Sequence, residues 1–266
     1  MSPWKGDKSL KDTTVAYLKI LNNVFNEDYG KIVNMEEIAE QSYDGMEAYL
    51  LAQEKAYEKL DEAGKKQHDM QKVFAGKYNI NLIENESELE AKSKVAHLVL
   101  EHCNQLYLIF FKCYKQEAYL MDAVDKKNIV AIEQNINSLE KFSNEGLGKL
   151  QKMKGYNNDG SLIVACRNLM NYYKAEAKKS PVITEFFLKE EEFNKIKKQF
   201  DAKPSGKRTQ QDVDQYNNAV NSMNTASNNF NAAMNELNKQ RSSALNNWNK
   251  TYSKYTDEHV PKQLKQ

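Results

Sequence analysis

Between Tyr216 and Tyr255 the chain alternates a step of four residues with a step of three: Tyr216, Val220, Met223, Ser227, Phe230, Met234, Leu237, Arg241, Ala244, Trp248, Thr251 and Tyr255. A stripe with this spacing stays on one face of an α-helix and drifts slowly around it. The helix that carries it must therefore wrap against its neighbours with left-handed, coiled-coil-like packing. At 1.5 Å per residue it runs roughly 65 Å. Ser227 and Arg241 dilute the stripe too far for a free two-stranded coil, which makes this helix one member of a bundle.

Upstream, little interrupts helix. Ten glycines and four prolines (Pro3, Pro181, Pro204, Pro261) in 266 residues supply too little turn chemistry for a sheet protein of this size. From Asp12 to about Leu60, apolar residues recur at helical spacing through Leu18, Leu21, Phe25, Tyr29, Ile32, Met35, Ile38, Met46, Tyr49, Leu50 and Tyr57, and the phase survives Gly30 and Gly45. This predicts one long, bent helix whose pattern continues to Ala75, with the first connection over 76–85. A second helix, from Ser87 to about Val124, carries the stripe Leu89, Val95, Val99, Cys103, Leu106, Phe110 and Cys113 and is expected at the centre.

Asp122–Asn128 reads as a short turn with Asp125 as the cap of a third helix, which runs to about Met153. Gly155–Ser161 is the clearest turn. Helices flank Ser180-Pro181, where proline either kinks one helix or opens a new one, and 203–207 is a second loop. The expected fold is all-α, an elongated antiparallel bundle of about five long helices with coiled-coil-like packing. It forms a single domain over 12–260, with 1–11 read as disordered or left by recombinant expression and 261–266 as a tail.

With 38 basic and 37 acidic side chains there is no net field to draw the chain onto nucleic acid. The arginines suited to bidentate phosphate or base-edge recognition are three, Arg167, Arg208 and Arg241. Nucleic acid is thus not an expected partner. The longest apolar run, Leu106–Phe111, is far short of the ~18 residues of a spanning helix.

The side chains that could carry chemistry do not form a recognisable set. Cys103, Cys113 and Cys166 make no CxxC pair and sit among apolar residues, as small core thiols do. His97 and His102 are five residues apart, about 140° around a helix, and so cannot face one ligand; His68 and His259 stand alone. Glu36 with Glu40, and the Lys189–Glu192 run, read as solvated helix faces. No catalytic, cofactor-binding or metal-binding residue is assigned, and no cofactor is expected. Tyr107, Phe110, Phe111, Tyr114, Tyr119, Tyr172, Tyr173, Phe186, Phe187 and Phe193 concentrate in the middle helices, where adjacent pairs fill interfaces with two neighbours. The last helix holds twelve asparagines, Asn217, Asn218, Asn221, Asn224, Asn228, Asn229, Asn231, Asn235, Asn238, Asn246, Asn247 and Asn249, although asparagine is a poor helix former. They read as a solvated face or as a polar surface for a glycan or protein.

The segments AIEQNINSLEKFSNEGLGKL (Ala131–Leu150), FFLKEEEF (Phe186–Phe193) and NNWNKTYSKYTDEHVPK (Asn246–Lys262) together resemble an uncharacterised family of helical surface lipoproteins of spirochaetes and Bacteroidetes. The resemblance covers about the C-terminal half and implies export with an N-terminal lipid-anchoring cysteine on the native protein. The expected function is a non-enzymatic helical binding or structural protein of the bacterial envelope, periplasmic or surface-exposed, with a protein or glycan partner. The alternatives are an α-helical pore-forming or membrane-remodelling protein that sequesters Leu106–Phe111, and a cytoplasmic coiled-coil adaptor that self-associates through the last helix.

Overall fold

The computed structural model describes residues 3–83 and 87–262. Among these the regular structure is helical, apart from the isolated bridges Trp4–Asp7 and Tyr156–Asp159, each of which closes a tight turn. The all-α expectation holds. The chain divides into two compact units, one of residues up to Asn104 with those from Val260 onward, the other of Gln105–His259. The sequence reading puts one domain over 12–260. Its division was hidden because it falls inside an unbroken helix, α4 (Glu88–Asp125).

In the first unit, α1 (Ser9–Asn23), a π-helical turn (Val24–Asp28) and α2 (Tyr29–Ala39) precede α3 (Tyr43–Lys77). The single long helix expected from residue 12 is therefore broken, and the break has a local cause. The Ser42 hydroxyl accepts from the Gly45 N–H at 3.0 Å and caps α3. Gly45 is crowded: a Cβ there would lie 3.1 Å from Ser42 Oγ and 3.2 Å from the Ile38 carbonyl oxygen, closer than ordinary contact.

Beyond this break α3 folds back along α1 and α2. Lys59 pairs with Asp28 at 2.6 Å, the Gln67 amide donates to Thr14 Oγ1 at 2.9 Å, and Lys77 pairs with Asp7 at 2.8 Å. These partners lie nearly symmetrically about Ser42, as in a helical hairpin. Apolar phase persists across the bend because each arm is a helix burying one face. Val24, Ile32 and Ala56 meet between the arms, flanked by Tyr29, Tyr49, Ala52 and Leu60.

Residues 3–11, read as disordered, are anchored by Asp7. Its carboxylate accepts from the Lys77 ammonium, the Ser9 N–H and the Tyr78 hydroxyl, and the first two hold its pKa well below the usual carboxylate range. The expected connection over 76–85 begins as irregular backbone after α3; 84–86 lie outside the described residues, as do 263–266 of the tail. The first half of α4 contributes buried Val99 and Cys103, whereas Leu89, counted in its stripe, is exposed. None of the described helices is long and apolar enough to cross a membrane.

The second unit contains the rest of α4, then α5 (Ile129–Leu150), α6 (Ser161–Lys179), α7 (Pro181–Ala202) and α8 (Gln210–His259). Asp125 is still the last residue of α4. The cap of α5 is Asn128, whose Oδ1 accepts from the Ala131 N–H at 3.1 Å after Lys127 turns the chain with a φ of 51°. α5 returns antiparallel to α4, pairing Glu145 with Lys112 at 3.3 Å and Asn135 with Gln116 at 2.7 Å.

In the Gly155–Ser161 turn, Asn157 and Asn158 adopt φ of 50° and 64°, and the Asp159 N–H donates to the Tyr156 carbonyl at 2.9 Å. Pro181 opens α7 as its first residue. At the start of α8, Thr209 Oγ1 accepts from the Asp212 N–H while Asp212 Oδ2 accepts from the Thr209 N–H, a reciprocal cap.

The seam of α8 meets different neighbours in its two halves. Phe186 of α7 stacks on Phe230 with ring centroids 4.6 Å apart, and Phe200 stacks on Tyr216 at 4.5 Å. Further along, Trp248 meets Phe110 of α4 at 5.3 Å, and His259 reaches Asp159 at 2.9 Å. Leu237, Trp248 and Tyr255 are buried and every other seam residue is partly so. The seam is consumed inside this unit.

Core quality differs between the two units. Alanines Ala39, Ala56, Ala63 and Ala75 fill much of the first, while Leu18, Phe25, Val33, Ile38 and Val73 are each more than half exposed. Leu106, Leu120, Ile132, Leu139, Leu162, Leu169 and Tyr173 are wholly buried in the second. Since burial of large apolar side chains sets local stability, native-state hydrogen exchange should proceed faster in α1 and α2 than in α6; equal protection would contradict this ranking. Replacing Phe230 by Ala should cost about 3 kcal/mol in chemical unfolding. The adjacent exposed change Asn231→Ala should instead stabilise by about 0.5 kcal/mol.

Candidate functional site

Three helices of the second unit each carry a 4-3 apolar stripe that includes one charge. In α4 the stripe runs Leu106, Phe110, Cys113, Glu117, Leu120; in α6 it runs Leu162, Cys166, Leu169, Tyr173, Glu176; in α8 the charge is Arg241. Packing brings the three together. Arg241 Nε donates to Glu117 Oε1 at 2.5 Å and Arg241 Nη2 to Glu176 Oε1 at 3.1 Å, while Nη1 donates to Asn238 Oδ1 at 2.8 Å. The Tyr172 hydroxyl donates to the same Glu117 oxygen at 2.9 Å. The side chains of Glu117 and Glu176 retain 6% and 0% of their exposure, that of Arg241 23%.

This enclosure governs the protonation of each member. Burial, then the neighbouring Glu117 carboxylate, pushes the Glu176 pKa up to about 8, with Arg241 opposing. Burial opposes the charge on Arg241, but the carboxylates outweigh it and raise its pKa. Burial first, and Glu117 next, raise the phenols of Tyr172 and Tyr173 above their ordinary range, so both stay neutral. Glu176 Oε2 and the Tyr173 hydroxyl are buried with no protein hydrogen-bond partner. Sequence reasoning took Arg241 as a mere dilution of the seam. The available signal was that two other stripes each include one charge, of the opposite sign.

The remaining candidates are spread through the fold. The thiols of Cys103, Cys113 and Cys166 are free and buried, and burial raises the first two to about 11 and about 12 and the third further, which keeps them from acting as thiolates. Cys113 Sγ lies 3.8 Å from Met170 Sδ. His97 stacks on Tyr57 with ring centroids 3.4 Å apart. His259 pairs with Asp159, which holds the carboxyl down at about 2. Glu36 and Glu40 are exposed, and Lys189 pairs with Glu192 at 2.8 Å on the surface. Of the middle aromatics, Phe110, Phe111, Tyr172, Tyr173 and Phe187 are buried while Tyr114 and Tyr119 are exposed.

A second candidate is a surface. All twelve asparagines of α8 are exposed. Seven of them, Asn217, Asn221, Asn224, Asn228, Asn231, Asn235 and Asn238, follow the same 4-3 rhythm one residue behind the apolar seam, about 100° around the helix. Asparagine density was visible in the sequence. Its ordering into one stripe becomes evident only once the seam is known to be buried.

The charge cluster yields a direct expectation. Arg241→Met leaves two buried carboxyls without their cation and should cost about 3–5 kcal/mol in urea unfolding near neutral pH. Adding Glu117→Gln and Glu176→Gln should restore most of that loss; an additive further loss would mean that the three charges act independently. Comparison with known protein families, with characterised proteins and with solved structures finds no match to this chain.

Proposed function

We propose that this chain is a non-enzymatic helical binding or structural protein of the bacterial envelope, which presents the asparagine face of α8 to a protein or glycan partner. The observation that carries the reading is the ordering of six exposed asparagines, Asn217, Asn221, Asn224, Asn228, Asn231 and Asn235, along one stripe of a helix that has no charged side chain from Gln215 to Asn235. Solvent-facing helix positions are ordinarily filled by lysine and glutamate, which favour helix and pair along it. Each asparagine gives up some of that helical stability. In return each of these six offers a carboxamide that both donates and accepts, along a stretch of α8 that carries no charge of its own.

The scaffold supports the same reading. The apolar seam is occupied by α4, α6 and α7, so a partner of α8 must meet another face. The buried charges are spent on one another, and the thiols are held protonated by burial. The envelope location rests on the lipoprotein resemblance alone.

Two measurements test the reading. Fractionation of the native cell with mass spectrometry of the N-terminus should find a lipid-modified cysteine in the envelope; an unprocessed cytosolic chain would favour the intracellular adaptor instead. The combined change Asn221→Ala, Asn224→Ala, Asn228→Ala should raise stability by about 0.5 kcal/mol per site and abolish binding of the full chain to envelope material. Unchanged binding would remove the stripe from the function.

A further inference from the structure

We propose that Glu117 and Glu176 bind one proton between them beneath Arg241, and that this proton-binding site fastens α8 to α4 and α6, releasing its hold when the proton leaves. The argument begins with charge. One guanidinium faces two carboxyls, all three packed into the second unit, and the carboxyls are almost wholly enclosed. If both were ionised the cluster would carry one uncompensated negative charge, among the most costly things a protein interior can hold. One added proton makes the cluster neutral.

The hydrogen bonds say which carboxyl takes it. Glu117 Oε1 receives two donors, Arg241 Nε and the Tyr172 hydroxyl, and both favour its charged form. Glu176 receives one, at the longer distance of 3.1 Å, and its Oε2 has no protein partner. Glu176 is also the more deeply buried of the two. Once protonated, its carboxyl is a donor, and Glu117 is the acceptor beside it.

The other groups facing the cluster do not titrate in the same range. On α4, Cys113 is a neutral thiol held up at about 12; on α6, Tyr172 and Tyr173 are neutral phenols; on α8, Arg241 stays charged. Lys112 and Glu145, further out on α4 and α5, pair with each other nearer the surface. The proton therefore sits on Glu176, with Glu117 beside it as the acceptor.

The sign follows from linkage. Glu176 has a folded-state pKa of about 8 against an ordinary value of 4.5, so the folded state holds the extra proton across that window. Its contribution to stability is full below 4.5 and is lost as the pH rises through 8. The folded-to-unfolded ratio should fall about tenfold per pH unit from this group across the window. What is lost is the neutral bridge through which Arg241 seats α8.

The test uses the full chain, wild type and Glu176→Gln, unfolded in urea at a series of pH values. The neutral amide of the variant imitates the protonated acid, so the wild type should show the tenfold-per-unit decline and the variant should lack it. An identical slope in both would overturn the proposal. Carboxyl-labelled glutamate NMR of the wild type gives an independent reading that does not need the variant to fold: one carboxyl should titrate near 8, and all carboxyls titrating in the ordinary range would overturn the site. Replacing choline by sodium or potassium at fixed ionic strength should leave that titration in place. A shift of one pH unit or more would assign the missing positive charge to a metal cation rather than to a proton.

Discussion

The burial of α8 along its seam is the constraint on which the second unit depends. A helix of 50 residues cannot be covered by one neighbour of ordinary length, and its seam is shared between α7 in its first half and α4 with α6 in its second. The 4-3 spacing lets this happen without a kink, because a stripe of that period stays on the inward side as the helix wraps. Phe230 and Tyr216 give the first half its aromatic stacking, while Trp248 and Tyr255 anchor the second. The reciprocal cap at Thr209 and Asp212 and the His259–Asp159 pair secure the two ends.

Between those halves stands Arg241, where a purely apolar seam would be free to slide by a heptad. A guanidinium that must meet Glu117 and Glu176 at the same time has one register available, since a shift of seven residues would leave buried charges unpaired. The cluster thus fixes position, as a single polar residue does in a coiled coil. The same closeness of two carboxyls to one cation gives this part of the bundle its sensitivity to protons. Specificity and titration arise from one arrangement.

The first unit is built on a different economy. Its hairpin is closed by alanine-rich contacts and by surface pairs such as Lys59–Asp28 and Lys77–Asp7. Exposed ion pairs contribute little each, and small side chains bury little area. The asparagine face of α8 is a further departure from stability, a row of weak helix formers whose helical state is maintained by the buried face behind them.

Local information determined the helical class, the seam of α8, the turns at Gly155–Ser161 and Lys203–Lys207, and the burial of the three cysteines, because each is recorded in periodicity, turn chemistry or polarity within a few residues. The bend at Ser42 escaped that reading: helical phase continues through a hairpin, and only the cap and the crowded Gly45 mark it. Tertiary structure alone decided that Pro181 starts a helix, that the chain divides within α4, and that Arg241 belongs with partners 124 and 65 residues away. Periodicity tells which face of a helix is inward, but the identity of what lies opposite is a property of the packed chain.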